Sequence, residues 1–399
     1  MIPSVRQSYN QQFSEEKYKR FIGDINRVYR REVTFRVAET PVFVGKDFEL
    51  LLRKAADDII DFLVRPDFKQ LTEAAIPANL RVPNETNHTL FLALDFGVID
   101  EGGKPEPRLI EMQGFPSLYA WQDVLSKKYR EHFAVPARMQ SHFGLTSDQY
   151  RDKLTQVLLN GHAPEEVILL EIDPLKQNTA VDFLATAAIT GVAPVHIGDV
   201  KRKGRELFYE KDGREIKIKR IYNRVIFDEL VKRTDLKLEF NLTEDVDVEW
   251  AGHPNWFFRI SKYTMPMIKS RYIPECKFLS DYSSYPTDLE NYVLKPLFSF
   301  SGSGVVFNVK PEDLQTIPSN QRHEFMLQRK VSYLPVVEAP DGLIKLEIRL
   351  LFLWEEGAAR PQLVTNLARL SRGEMIGVKY NKDRTWVGGS VCFFESQMP

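Results

Sequence analysis

The stretch Asn291–Val309, NYVLKPLFSFSGSGVVFNV, organises the reading of this chain. Tyr292, Val293 and Leu294 form an apolar run that delivers Lys295 into a Ser/Gly loop, and a second β-branched run, Val305–Val309, leads out of it. The short residues Ser299, Ser301, Gly302, Ser303 and Gly304 let backbone N–H groups approach an anion closely, and Lys295 adds a point charge beside them. The pattern predicts a hairpin able to grip phosphate. It is not a P-loop, because the G-x-x-x-x-G-K-[ST] order is absent and a strand rather than a helix follows the glycines. A Gly/Ser hairpin carrying a lysine is more often a plain turn, so the phosphate reading depends on the rest of the chain.

Working outward towards the C-terminus, Phe325–Val331 (FMLQRKV) reads as a strand, and Ile344–Trp354 (IKLEIRLLFLW) as a core-like strand interrupted on one face by Glu347 and Arg349. Leu363–Phe394 then reads as strand, turn, strand. On the N-terminal side, the region from Trp256, WFFRISKYTMPMIKS, has amphipathic helical spacing and carries Lys262 and Lys269.

Thr89–Gly114 is the second informative stretch. It predicts a strand over Leu90–Val98, a turn at Gly102-Gly103 and a strand over Arg108–Gln113. Glu111 and Gln113 are two apart, so on a strand both leave the same face, where a carboxylate and an amide oxygen suit Mg²⁺. The competing reading is a polar edge of an antiparallel hairpin. Asp95 lies among Leu92, Leu94 and Phe96, and burial there is costly unless a counter-charge reaches it.

From Glu166 the texture becomes α/β. Val167–Glu171 is a continuous apolar run suited to a buried parallel strand, Asn178–Thr190 an Ala-rich helix ended by Gly191, and Val192–Ile197 the next strand. Lys217–Tyr222 reads as a further strand. The unit is read as small and doubly wound, and ligands of such sheets sit beyond the carboxyl ends of the strands, which makes Tyr222, Asn223 and Arg224 candidates by position. Further upstream, Phe13–Arg31 and Asp47–Leu63 carry amphipathic helical patterns, Val33–Val44 reads as extended, and Ser147–Leu159 as a helix capped by Ser147. His88 is read as a solvated loop residue, and His132 and His142, ten apart, as structural.

Bulk properties narrow the function. The 399 residues carry a net charge of −1, with no basic excess to attract nucleic acid. Two cysteines, Cys276 and Cys392, make neither a disulfide framework nor a metal cluster and fit a reducing cytoplasm. The polar N-terminus is unlike a signal peptide, and no apolar run approaches the roughly 18 residues of a membrane span. No nucleic-acid or membrane partner is therefore expected.

Taken in order, the glycine-loop lysine (VLKP…SGSGVV), the strand MLQRKV, the strand LEIRLLFLW with its embedded glutamate, and a strand pair with R…GG resemble the nucleotide half of an ATP-grasp enzyme. The D…IEMQ segment, which most ATP-grasp enzymes carry after those pieces, here lies far before them. That order resembles the circularly permuted branch to which eukaryotic-type glutathione synthetases belong and which glutathionylspermidine synthase also resembles. The likeness runs in piece order from about Leu90 to Phe394. It implies an α/β and α+β architecture: helices, permuted strands and the metal pair in 1–160, a Rossmann-like substrate domain in 161–250, and the nucleotide-binding and lid region in 251–399.

The resemblance also implies roles. Lys262 and Lys295 would grip ATP phosphates, with Ser301, Gly302, Ser303 and Gly304 covering them. The strand Gln328, Arg329, Lys330 and Val331 would hydrogen-bond adenine through its backbone. Glu111, Gln113 and Glu347 would hold Mg²⁺. Arg369 would face the substrate or acyl-phosphate, Gly388 and Gly389 would close over the substrate, and Ser117, Asn223 and Arg224 would contact it. Three positions depart from the pattern: Gln113 replaces an asparagine, Ala93 stands where glutathione synthetases carry an arginine, and Ser371 where a lysine is expected. Glutathione synthesis itself is therefore not expected. The reading is an ATP- and Mg²⁺-dependent carboxylate–amine (or thiol) ligase acting on a small molecule or peptide, with a homodimer among the assemblies it admits. The alternative is a degenerate relative that binds nucleotide or a partner without catalysis.

Overall fold

Six strands drawn from both ends of the chain meet in one sheet. In this computed structural model, which describes residues 1–298, 304–373, 376, 381 and 383–395, the hairpin β2 (Phe91–Glu101) and β3 (Lys104–Gln113) lies beside β16 (Gly342–Leu353). Next come β17 (Gln362–Ser371) and β18 (Gly388–Ser390), giving the order β18-β17-β16-β2-β3, with β15 (Pro335–Ala339) pairing to β16. Every pairing in this sheet is antiparallel.

Register fixes what each face carries. Asp95 stands opposite Glu111 on one side and Arg349 on the other, Glu347 opposite Gly97 and Arg369, and Arg369 opposite Gly389. Because strand side chains alternate, these residues share one face, and Leu92, Leu94, Phe96, Ile348 and Leu350 share the other. That second face joins the main core with Leu52 and Ile59 of the helix Lys46–Leu63 and Leu125 of the helix Tyr119–His132. Tyr119 ties it down, its hydroxyl donating to the carbonyls of Leu92 at 3.1 Å and Phe352 at 2.8 Å.

The remaining strands form four smaller sheets. A parallel sheet has the order β11 (Glu249–Ala251), β10 (Arg220–Asn223), β5 (Val167–Glu171), β6 (Ala193–His196). All five residues of β5 are buried, as its continuous apolar run requires. The helix Ala180–Thr190 carries the chain from β5 to β6. Between β6 and β10 lies a charged meander, β7 (Lys201–Lys203), β8 (Glu206–Lys211) and β9 (Arg214–Ile218). A small antiparallel sheet, β12 (Cys276–Phe278), β14 (Phe325–Arg329) and β13 (Tyr292–Pro296), has its own core around Leu294, Leu314 and Leu327. Finally β1 (Val42–Val44) pairs in parallel with β19 (Cys392–Glu395), on whose other edge lies β4 (Met139–Gln140).

Several local expectations need correction. Val305–Val309 forms no strand; Val306 alone bridges Leu294 through reciprocal backbone bonds of 3.0 Å. Lys217–Tyr222 divides between β9 and β10, because Lys219 turns out of one sheet into the other. The region from Trp256 yields only the single turn Trp256–Arg259 and a 3₁₀ turn at Met265–Met267; Pro266 lacks the donor that a continuing helix would need. The helix Ser147–Leu159 is capped by Thr146, in a box with Gln149, rather than by Ser147. Nor is His88 solvated: its ring stacks on Trp354 with centroids 4.3 Å apart. Among the described residues no helix is long and apolar enough to cross a membrane.

Candidate functional site

Two sheets present side chains to a shared cleft. From the large sheet, Glu111 and Gln113 stand together at the end of β3, the Gln113 Nε2 donating to Glu111 Oε2 at 3.1 Å. From the small sheet, Lys295 on β13 reaches across, its ammonium donating to Gln328 Oε1 at 2.7 Å and to the carbonyl of Ile110 at 3.5 Å. Lys262, on the loop after Trp256–Arg259, comes within 3.8 Å of Glu111 Oε1. A cavity of about 80 Å³ opens at this point, lined by Glu111, Gln113, Phe115, Phe257, Lys262 and Leu297.

The lysines are not at rest electrostatically. Burial pushes Lys295 down to about 8, with Glu111 opposing the shift and Lys262 reinforcing it. Burial likewise lowers Lys262, again against the pull of Glu111. Among the described residues, Lys262 and Lys295 face Glu111 here, two ammonium groups to one carboxylate, a balance that suits an anion.

Beside it on the same sheet face runs a buried ionic network. Arg349 grips Asp95 with two parallel bonds, 2.6 and 2.7 Å long. Arg369 divides itself between Asp95, at 3.2 Å, and Glu347, at 2.7 Å. The second oxygen of Glu347 accepts a 2.8 Å bond from Tyr333. Burial raises Asp95, but Arg349 and Arg369 more than reverse this and hold it below the usual carboxylate range. Burial raises Glu347, and Arg369 offsets only part of that. Asp95 thus finds the counter-charge its position demands, and the partner is 254 residues away in sequence.

Magnesium needs oxygen donors that an ion can reach. Glu111 and Gln113 line the cavity, the Glu111 side chain 31 % exposed, and their donor chemistry fits a hard cation. Glu347 differs in access, being 2 % exposed with Arg369 and Tyr333 bonded to its oxygens.

The remaining predicted residues divide into groups. Ser301, Gly302 and Ser303 lie outside the described residues, while Gly304 is exposed in the turn that follows them. In the strand Gln328–Val331 the backbone N–H of Arg329 is taken by Glu275 and that of Lys330 by Asn291, each at 2.8 Å. The Arg329 side chain turns to Asp288 and Tyr292, and that of Lys330 to Asn308. Half-buried Val331 follows them outside β14.

Gly388 and Gly389 belong to the strand β18. They pair with β17 on one side, and on the other Gly389 N donates to Arg36 O at 2.8 Å and Ala38 N to Gly389 O at 2.9 Å. A Cβ on Gly388 would lie 2.4 Å from Arg36 O, so only glycine admits this approach.

Arg224 sits past the end of β10, as its position in the parallel sheet implies, and donates to the carbonyls of Pro116 at 2.9 Å and Phe115 at 3.3 Å. Its guanidinium lies 4.4 Å over the Phe115 ring. Ser117 follows on the same turn, half-buried. Asn223 is occupied locally, its amide oxygen and nitrogen both bonded to the backbone of Val225.

Sequence reasoning missed Tyr333, Glu171 and Asp182. Glu171 ends β5 beside Arg224, and burial pushes it up to about 8. Asp182 accepts the backbone N–H groups of Leu118 and Trp121, at 2.9 Å each, and so fixes the turn that bears Ser117. A carboxylate closing an apolar strand was a visible signal for Glu171; nothing in the local pattern marks Tyr333.

No family model and no curated protein matches the chain. Among solved structures it is similar to the apo form of a glutathione synthetase-like effector, GSS30, from Globodera pallida. The identity is 10 %, the TM-score 0.59, and the match covers 96 % of each chain. At that identity the likeness is one of fold: this chain has a mixed α/β, glutathione synthetase-like architecture over the matched 96 % of its length.

Proposed function

We propose that the chain is a permuted ATP-grasp protein, and that the cleft between its large and small sheets binds ATP with Mg²⁺ to join a carboxylate to an amine or thiol. The observation that carries this reading is the meeting of Lys262 with Glu111 and Gln113 at one cavity, with Lys295 reaching the same strand next to Glu111 through the carbonyl of Ile110. The two ammonium groups would neutralise triphosphate charge, and Glu111 with Gln113 would hold the metal. The bound metal would supply additional charge neutralisation at the phosphates.

Activation follows from the chemistry such a site can support. A substrate carboxylate oxygen attacks the γ-phosphorus, the bond to the bridging oxygen breaks, and ADP leaves with that electron pair. The amine or thiol then attacks the acyl carbon and phosphate departs. Such a reaction demands positioning and charge stabilisation rather than a nucleophilic side chain. In this reading Arg369, on the face beside the cleft, and Arg224, beyond the parallel sheet, would be the cations that meet substrate. The cysteines are no rival nucleophiles, since burial raises the thiols of both Cys276 and Cys392.

Calorimetry tests the reading. ATP titrated into the protein should bind tightly with Mg²⁺ and weakly without it, and Glu111→Ala should abolish the difference. Binding indifferent to Mg²⁺ and to that substitution would instead favour the non-catalytic nucleotide binder, and an absence of binding would remove the nucleotide altogether.

A further inference from the structure

Glu347 is the residue on which this chain parts from the magnesium site its resemblance implies. Both oxygens of its buried carboxylate are engaged by protein donors: Oε1 accepts from Arg369 Nη1 at 2.7 Å and Oε2 from Tyr333 Oη at 2.8 Å. Tyr333 is itself held in place. It precedes β15, bridges to Ile99 of β2, and the next residue donates from Leu334 N to Val98 O at 2.8 Å. Its ring crosses the sheet directly above Gly97, where an added Cβ would lie 2.7 Å from the ring. A residue with any side chain at position 97 would displace the tyrosine from Glu347.

Charge counting points the same way. Asp95 and Glu347 face Arg349 and Arg369, two negative against two positive, inside a network whose carboxylates are 1 % and 2 % exposed. Among the described residues the charges of this set balance, with no negative charge in excess for a divalent cation. The Arg369 side chain, by contrast, remains 33 % exposed while its guanidinium is held by both carboxylates. Resting on the ligase reading above, we propose that Glu347 and Tyr333 are positioning residues for Arg369 rather than metal ligands. Glu111 and Gln113 would then be the residues that hold a metal, and the anchored guanidinium would supply the positive charge that a ligand role for Glu347 would otherwise bring to the reacting carboxylate or phosphoryl group. A planar donor held on two carboxylates loses little freedom on meeting an oxyanion, which is the advantage of preorganisation.

The test compares Glu347→Gln and Tyr333→Phe with Glu111→Ala. The first arm is calorimetric, with ATP as probe and MgCl₂ present or absent. If Glu347 positions Arg369, Glu347→Gln keeps the ratio of affinities with and without Mg²⁺ within about twofold of the unaltered protein, whereas Glu111→Ala collapses it. Collapse of the ratio in Glu347→Gln as well would make it a ligand and overturn the proposal.

The second arm needs no nucleotide. With ¹⁵N-arginine labelling, and Arg369→Lys to assign the signals, the Arg369 Nη groups should appear as distinct, slowly rotating resonances. They should average in Glu347→Gln and broaden in Tyr333→Phe, with the amide spectrum of the sheet otherwise retained. An Arg369 signal unchanged by both substitutions would overturn the clasp. If the unaltered protein binds no ATP, the ligase reading fails on its own, and this second arm still decides what Glu347 and Tyr333 do.

Discussion

At the residue scale, the cleft holds groups whose ordinary ionisation has been displaced. Lys295 is lowered from 10.5 to about 8 by burial. Its folded state therefore binds fewer protons than the unfolded chain between those values, so its contribution to stability is unfavourable below pH 8 and is relieved as pH rises towards 10.5. Lys295→Met should accordingly be more stable than the parent at pH 7, by urea unfolding, with the gap closing towards pH 10.5. Its effect on binding is the opposite. ATP affinity should fall tenfold or more at pH 7 in Lys295→Ala, on the order of 1.4 kcal/mol. In the parent, affinity should decline as pH rises through 8, a trend the alanine variant should lose. Asp95 makes a second case. Asp95→Asn leaves Arg349 and Arg369 facing each other over one remaining carboxylate, and should destabilise the fold by about 3 kcal/mol in denaturant titration. That Asp95 required a counter-charge was legible in the sequence, as was the shared face of Glu347 and Arg349. Which cation met it was not, because the pairing depends on register between strands some 254 positions apart.

At the scale of elements, the sequence was most readable where period and turn chemistry agreed. The hairpin β2–β3 forms around Gly102-Gly103 as its pattern indicates, and β5 is buried throughout, as a continuous apolar run should be. Readings failed where short range was asked to decide a long-range matter. Val305–Val309 has β propensity but only one backbone bridge to sustain it, and the region from Trp256 has helical spacing that Pro266 interrupts. The pair Gly388-Gly389 is instructive, since the same two residues that suggest a cover over substrate also let residues 36–38 join the edge of β18. Gly388 has φ 123°, and a Cβ there meets backbone rather than a flexible side chain. Gly388→Ala should cost on the order of 2 kcal/mol. Hydrogen exchange at Ala38 and Gly389 should accelerate in that variant while exchange in β5 and β10 stays unchanged. If both amides keep their protection, the close approach of Arg36 is not what the glycine serves.

At the scale of the whole molecule, the large sheet takes its centre from opposite ends of the sequence, with β2 and β3 laid against β16, about 250 residues downstream. A ribosome therefore releases the hairpin long before its neighbour exists. In the interval the apolar face of β2, with Leu92, Leu94 and Phe96, and an unpaired strand edge stand open, the kind of surface that invites wrong partners. Loop closure over such a span is slow, and the sheet should complete late. Pulse-labelled refolding should show the amides of β2 and β16 becoming protected in one shared, slow phase, after those of the parallel sheet; early protection of β2 alone would contradict this. The same ordering has a meaning in the cell. Asp95 and Glu111 are translated early, Lys295 and Arg369 late, so a chain interrupted before β13 carries the early charged residues without their partners, together with the open apolar face of β2. Such products would be demanding clients for chaperones, with the cleft still unassembled.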